Sequence, residues 1–448
     1  MNNPRLPSRR PPADQRTFTS PACERLIDEV AATIADDELR WLFTNCLPNT
    51  LDTTVALSRD ADGRPDTYVI TGDIDAMWLR DSAAQVWPYL PLARDHADIR
   101  DLIAGLVRRQ ASGVLLDPYA NAFYREPRLG EWRDDGTRMV PGVHERKWEL
   151  DSPAYFLRLS HGYWHATGDI SPFDARWREA VRAVLRLLRV EQGGVPGRSP
   201  YVFTRRGHTD SLLNGGFGDP AKPCGLVRSA FRPSDDLCKL PYHVPSNAMA
   251  SVALRETADL LDTLGDHADA DEARAISLEI AAALETHAVV RHPALGEIWA
   301  YEVDGRGSVC LMDDANIPSL LSLPYLGFCA KDDPRYLRTR SFCLSDANPY
   351  FFRGAAGEGV GGPHAGLRTI WPLAIVMRAL TALDDAEILA CLRQLRATHA
   401  GTGFMHETFH ADDAARFTRS WFAWANTLFG ELVLTLRSER PHLLARPL

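Results

Sequence analysis

The sequence predicts an all-α protein in which pairs of helices close into a ring, with the loops gathered at one end. Two observations carry this expectation. Apolar residues recur at helical spacing in about a dozen stretches, and the connections between them are long and rich in Gly, Pro and charge, a pattern usual for functional loops. A third observation concerns organisation: no Pro/Ser linker, low-complexity block or repeat of fixed period divides the chain. One domain over 18–448 is therefore expected, behind a polar, Pro- and Arg-rich tail over 1–17 that is expected to be disordered. A two-domain α/α arrangement is the alternative.

In chain order the helical stripes fall over 24–46, 75–90, 99–115, 152–167, 177–188, 246–264, 271–287, 317–323, 334–344, 367–380, 386–398 and 418–436. The stretch 177–188 shows the reasoning best. Trp177, Val181, Val184, Leu185 and Leu188 fall at i, i+4, i+7, i+8 and i+11, which is one helix face. The helix over 152–167 is announced by Asp151-Ser152-Pro153, a cap followed by a proline in the first turn. That over 317–323 is preceded by Asp313, Asp314 and Asn316, all capable of capping. The long connections are 117–150, 191–245, 292–315 and 350–366. Within them the alternation of Glu297-Ile298-Trp299-Ala300-Tyr301-Glu302-Val303 fits hairpin strands.

Composition narrows the function. The chain has 448 residues, 45% hydrophobic and 24% charged, with a net charge of −9 and a pI near 5.9. That balance argues against nucleic acid or an anionic membrane as partner, because either normally requires a basic face. No apolar run approaches the ~20 residues that span a bilayer. Arg9-Arg10 is followed by no hydrophobic segment that would make it an export signal, so a cytoplasmic protein is expected. The eight cysteines form no C-x-x-C pair and read as buried thiols.

Five polar and aromatic clusters carry chemistry. In Thr71-Gly72-Asp73-Ile74-Asp75-Ala76-Met77-Trp78-Leu79-Arg80-Asp81-Ser82, three carboxylates, a guanidinium and an indole crowd a helix start. Helix capping explains one Asp; the whole set suits a polyhydroxylated ligand, with charged groups forked onto hydroxyls and an aromatic face against the sugar ring. His144-Glu145-Arg146-Lys147-Trp148-Glu149-Leu150-Asp151-Ser152 is the second cluster, with a solvated charged face as its plain alternative. In the third, Phe231-Arg232-Pro233-Ser234-Asp235-Asp236 precedes Tyr242-His243-Val244-Pro245-Ser246-Asn247. Adjacent carboxylates repel, which raises the pKa of one of them in a dry site and makes a general acid, although Pro-Ser-Asp-Asp is also an ordinary turn. The fourth is Asp313-Asp314-Ala315-Asn316, followed later by the Gly-rich run 354–362 with His364 and Arg368; no strand and phosphate-binding lysine accompany that run, which argues against a nucleotide loop. The fifth joins Glu407, in an apolar setting where an ionisable group is costly unless used, to Arg419, Trp421, Trp424 and Asn426. Core packing is the plain alternative for the two tryptophans. Neither a twelve-residue calcium loop nor H-E-x-x-H nor G-x-S-x-G is present, so no metal, cofactor or serine nucleophile is expected.

Taken together and in order, these motifs resemble glycoside hydrolase family 125, the exo-acting α-1,6-mannosidases, from about residue 18 to 437. The resemblance implies an (α/α)6 toroid, inversion at the anomeric carbon and no required metal. It also implies an Asp acid on the Asp235-Asp236 pair, with the two left undistinguished, and Glu407 as base. Inversion needs a protonated carboxyl at the glycosidic oxygen and an ionised one holding water on the other face, roughly 6.5–9.5 Å away. Asp73, Asp75, Arg80, Asp81, Glu145, Arg232, Asn247 and Asn426 are then expected on sugar hydroxyls, together with His144 and Lys147. Trp78, Trp148, Trp421 and Trp424 are expected at the apolar face. The expected partner is a mannose-containing oligosaccharide. Two other readings stand beside this one: a sugar isomerase or epimerase on the same toroid, using a pair among His144, His243, His364 and His406, and a non-catalytic carbohydrate-binding protein.

Overall fold

The computed structural model describes residues 6–193 and 199–448. Twelve helices of eight or more residues are present among them: α1 Pro21–Ala31, α2 Asp37–Cys46, α3 Leu79–Val86, α4 Ala97–Leu116, α5 Asp151–Thr167, α6 Ala175–Gly193, α7 Val244–Thr263, α8 His267–His287, α9 Pro334–Cys343, α10 Pro372–Leu380, α11 Asp385–Ala397 and α12 Ala423–Glu439. Local chemistry sets their starts. Ser20, Asp36, Asp333 and Asp384 each accept a hydrogen bond from a first-turn N–H, and proline stands in the first turn of α1, α7, α9 and α10. Gly168 ends α5 in the left-handed conformation at φ 69°.

Packing follows the stripes. Trp177 on α6 is buried against Phe156 of α5 and Phe173, with its indole N–H donated to Ser160 Oγ at 3.0 Å. The neighbour relations run α3 to α5 to α7 to α8, and α10 to α12 to α3; α2 also packs on α12, so the two ends of the chain meet. Among the described residues no helix is long and apolar enough to cross a membrane.

Small sheets of two or three strands are interposed between helices. Three of them carry site residues: Met77–Trp78 with Ala122–Phe123 and Val143–Glu145, Tyr242–His243 with Glu302–Val303 and Val309–Cys310, and Thr369–Ile370 with Thr408–His410 and Asp413–Thr418. The expected strands over 297–303 are present and belong to two sheets: Gly296–Trp299 forms a hairpin with Val289–His292, and Glu302–Val303 pairs with Val309–Cys310 and Tyr242–His243.

The structure corrects four sequence expectations. The stripe over 24–46 is two helices, broken where Asp36 caps α2. The stripes over 75–90, 367–380 and 418–436 start late, at Leu79, Pro372 and Ala423, after the short strands Met77–Trp78, Thr369–Ile370 and Asp413–Thr418. No helix forms over 317–323: Asp313 carboxylate oxygens accept from the Leu320 and Leu321 N–H groups at 2.8 and 3.1 Å, and Ser319 and Ser322 bond each other's backbone. Those local bonds, with Pro318 supplying no N–H, compete successfully with the helical ladder. Lastly, the segment expected to be disordered is docked from Leu6 onward. Arg10 is bonded to Glu24 and Asp52, the Arg9 N–H to Asn45 Oδ1 at 2.9 Å, and the Trp41 indole N–H to the Pro7 carbonyl at 2.7 Å. Residues 1–5 of that expected tail lie outside the described residues.

Candidate active site

A cavity of about 280 Å³ opens where the third and first of these sheets meet the 231–237 turn; it is lined by Thr71, Asp73, Ile74, Trp78, Arg80, Asp81, Pro233, Ser234, Asp235, Asn316, His364, Trp371, Glu407, Arg419 and Phe422. Strand geometry and helix starts place these groups. Met77–Trp78 runs directly into α3, which sets Trp78 on the wall and Arg80 and Asp81 in the first turn beneath it. The bridge between Phe231 and Leu237 closes the turn that carries Asp235, which adopts φ 66°. A non-glycine residue rarely adopts that left-handed conformation; Asp tolerates it better than most.

Arg80 organises the floor. Its guanidinium, 5% exposed, donates to Asp81 at 2.8 Å, Glu149 at 3.0 Å, Asp151 at 3.1 Å and Asp235 at 2.9 Å. One cation among four carboxylates in a dry site cannot keep all of them ionised. Burial pushes Asp151 up to about 6 and also raises Asp81 and, far more, Glu149, where the neighbouring Asp235 charge adds to the effect. Asp235 goes the other way: against burial, Arg80, a hydrogen bond with Glu149 and the Lys147 charge hold it well below the usual carboxylate range. Lys147 Nζ also donates to the Asp235 carbonyl at 2.8 Å.

The same cavity is lined by Glu407. Thr418 Oγ1 donates to it at 3.0 Å and Arg419 Nη1 at 3.4 Å. Arg419 also pairs with Asp73 and donates to the Thr71 carbonyl at 3.1 Å, tying the 71–74 loop to the strand Asp413–Thr418 across the cavity. Asp236 sits beside Asp235 but faces His364, with 3.3 Å between carboxylate and Nδ1. Although burial opposes it, this bond with the charges of Asp236, Asp235 and Glu407 raises His364 to about 9. Trp78 and Trp371 each bring a buried indole N–H without a partner to the cavity wall; an unpaired donor at that position is a ready partner for a ligand oxygen.

Of the residues the sequence nominates, Asp73, Trp78, Arg80, Asp81, Asp235 and Glu407 line one cavity. Lys147 and Glu145 stand behind them, Glu145 held by Arg205 at 2.8 Å and Asn121 at 3.0 Å. The others do not line this cavity. Asp75 is exposed and pairs with Arg128. His144 is buried edge-on between Trp78 and Tyr124, and Trp148 is buried with its N–H on the Arg228 carbonyl. Arg232 pairs with Glu302 at 2.6 Å, and Glu302 also accepts from the Lys239 and Leu240 N–H groups, fixing the turn after the Asp pair. Asn247 clamps Val227 through both of its N–H and C=O groups. Asn426 joins Met405 to Asn49. Trp424 is fully buried with Arg80 5.7 Å from its ring, supporting the guanidinium from below. Trp421 lies against Gly72, which has φ 60°.

Trp371 and Phe422 escaped the sequence reading, although each immediately precedes a helix, α10 and α12, as Trp78 precedes α3. The Gly-rich run serves close approach: a Cβ at Gly361 would lie 2.1 Å from the Thr369 carbonyl, and one at Gly362 2.9 Å from Asp314. Among the four histidines considered for an isomerase, only His364 lines the cavity; His243 is buried with Ser246 and His406 is stacked on Phe417. Among the described residues no cluster of His, Cys, Asp and Glu is arranged to hold a metal ion, and all eight cysteines are free thiols, with Cys224, Cys238, Cys310 and Cys329 only partly buried.

Residues 36–434 match the family model described as metal-independent alpha-mannosidase (GH125). The chain is 44% identical over 462 aligned positions to the meiotically up-regulated gene 157 protein of Schizosaccharomyces pombe, covering 99% of this chain and 91% of that protein. It is 42% identical, with a TM-score of 0.90, to a metal-independent alpha mannosidase of Streptococcus pneumoniae solved as a non-productive complex with alpha-1,6-mannobiose, covering 95% of this chain and all of that one. A bacterial glucoamylase bound to acarbose shares the fold alone, at 12% identity and a TM-score of 0.56 over 93% of this chain and 59% of that one. With a cavity walled by carboxylates, indoles and guanidinium groups, and a family match across nearly the whole length, the chain belongs to glycoside hydrolase family 125, the metal-independent α-mannosidases.

Proposed function

We propose that this protein is an exo-acting α-1,6-mannosidase that inverts the anomeric centre, built on an (α/α)6 toroid. The observation that carries the reading is the placement of Asp235 and Glu407, from segments far apart in sequence, on the walls of the same cavity. The meeting of α12 with both α2 and α3 supports the ring, and the mannobiose bound to the pneumococcal relative supports the substrate class.

Asp235 is the acid in this reading, because it lines the cavity while Asp236 is engaged with His364. It gives its proton to the glycosidic oxygen as the bond from that oxygen to C1 breaks. Glu407 takes a proton from water as the new water oxygen to C1 bond forms on the opposite face. Asp73, Asp81 and Arg419, with the free indole N–H groups of Trp78 and Trp371, meet the hydroxyls of the terminal mannose.

The test is direct. Incubated with α-1,6-mannobiose and followed by proton NMR, the enzyme is expected to release β-mannose first. Absence of mannose, or α-mannose appearing first, overturns the reading.

A further inference from the structure

We propose that Glu149 is a positioning residue that stores the proton Asp235 delivers, handing it forward through their shared hydrogen bond during the acid step. The proposal rests on the reading of Asp235 as the acid. Three observations support it.

Geometry comes first. A single nitrogen, Arg80 Nη2, donates to both Glu149 Oε2 at 3.0 Å and Asp235 Oδ1 at 2.9 Å, and Asn121 Nδ2 reaches Glu149 Oε1 at 3.2 Å and Asp235 Oδ1 at 3.5 Å. The two carboxyl groups are thus held side by side and hydrogen-bonded to each other. Such a contact needs a proton between them.

Charge comes second. Glu149 shares the Arg80 guanidinium with Asp81, Asp151 and Asp235, so four carboxyl groups meet one cation. Acids therefore outnumber cations around a carboxyl whose side chain is wholly buried, and the proton-bearing form is the one the site accommodates. Burial raises the Glu149 pKa well above the carboxylate range while Asp235 is lowered, which assigns the resting proton to Glu149.

Access comes third. Asp235 lines the cavity and Glu149 does not. During the acid step the Glu149 O–H bond breaks as its proton forms an O–H bond on Asp235, and that bond breaks in turn as the proton passes to the leaving oxygen and the glycosidic bond breaks, so one proton is transferred and both carboxyls end as carboxylates beside Arg80. After product leaves, solvent returns a proton to Glu149 through Asp235, while Glu407 releases the one it took from water.

Glu149→Gln tests this, because the amide N–H reproduces the hydrogen bond to Asp235 but has no proton to give. The variant is assayed on α-1,6-mannobiose, whose alcohol leaving group needs protonation, and on 2,4-dinitrophenyl α-mannoside, whose phenolate does not. The expected result is a fall in kcat of about 100-fold or more on mannobiose, within the range of general acid catalysis, and a far smaller fall on the aryl substrate. Equal losses on both substrates, or no loss on mannobiose, overturn the proposal. Asp235→Asn run in parallel separates the two readings: if it shows no selective loss on mannobiose, the assignment of Asp235 itself fails. Should Glu149→Gln lack the native circular dichroism, Glu149→Asp, with its carboxyl drawn back by one carbon, is expected to show the same selectivity in milder form, and an equal loss on both substrates again overturns the proposal.

Discussion

Arg80 Nη2 lies 2.9 Å from Asp235 Oδ1, joining residues 155 positions apart. That bond favours the ionised Asp235 carboxylate and anchors its turn to α3. Removing the cation leaves four carboxylates in a buried site with one partner fewer. Arg80→Ala is expected to destabilise the fold by about 3–5 kcal/mol, the usual result of leaving buried charges unpaired, and to abolish turnover. Chemical denaturation and mannobiose assays check both. A variant as stable as the parent would show that the carboxyl cluster is already largely neutral.

Glu407→Gln preserves shape and removes the base of the proposed reaction. Turnover on mannobiose is expected to fall by about 10²–10⁴-fold with little change in Tm, because Thr418 can still donate to the remaining carbonyl oxygen. Loss of stability in step with activity would instead mark Glu407 as a scaffold group.

Asp73 tests the grip on the terminal sugar. Its side chain is half-exposed and its partner Arg419 keeps Glu407 and the Thr71 carbonyl as alternatives. Asp73→Ala is expected to lower kcat/KM by about 10- to 100-fold, the range for a lost hydrogen bond to a charged group, with most of the change in KM. A pure kcat effect would point to a role in chemistry.

His364 gives the enzyme a pH-dependent contact. Its pKa rises from about 6.5 in the unfolded chain to about 9 in the fold, so the folded state binds the proton more tightly. The stability that this supplies is fully present below pH 6.5 and lost as pH rises through 9. The Tm difference between the parent and His364→Gln is therefore expected to be largest near pH 6 and to vanish by about pH 10. A difference that grows with pH contradicts the pairing with Asp236.

Asp313 is predicted to act through structure alone. Burial pushes its carboxyl up to about 7 despite the hydrogen bonds it accepts from the Leu320 and Leu321 N–H groups. Asp313→Ala leaves two buried backbone donors unsatisfied and is expected to cost about 2–6 kcal/mol. Thermal unfolding measures this, and the KM of whatever protein folds should be unchanged.

Much of the scaffold was legible because a helix is a local structure. The spacing of Trp177, Val181, Val184, Leu185 and Leu188 is visible within one window, and all of them are buried on α6. Legibility failed where local side-chain bonds outcompete the ladder, as around Asp313, and where short strands intrude, as at Met77–Trp78. In the site, the polar clusters pointed to the right segments but not to the right neighbours. Trp424 and Trp148 looked like sugar platforms and are core; Trp371 drew no attention and lines the cavity.

From its sequence alone, this protein could be read as a helical scaffold with carboxylate-rich loops and as a relative of the α-mannosidases, since periodicity and motif order are properties of a linear string. Only the tertiary structure decided that Asp235 and not Asp236 faces the cavity, that Arg80 gathers Asp81, Glu149, Asp151 and Asp235, and that Arg419 joins Asp73 to the Glu407 wall. The physical reason is that protonation and hydrogen bonding depend on which charges share a dry pocket. That proximity is created by packing between residues as many as 346 positions apart, and no local spacing encodes it.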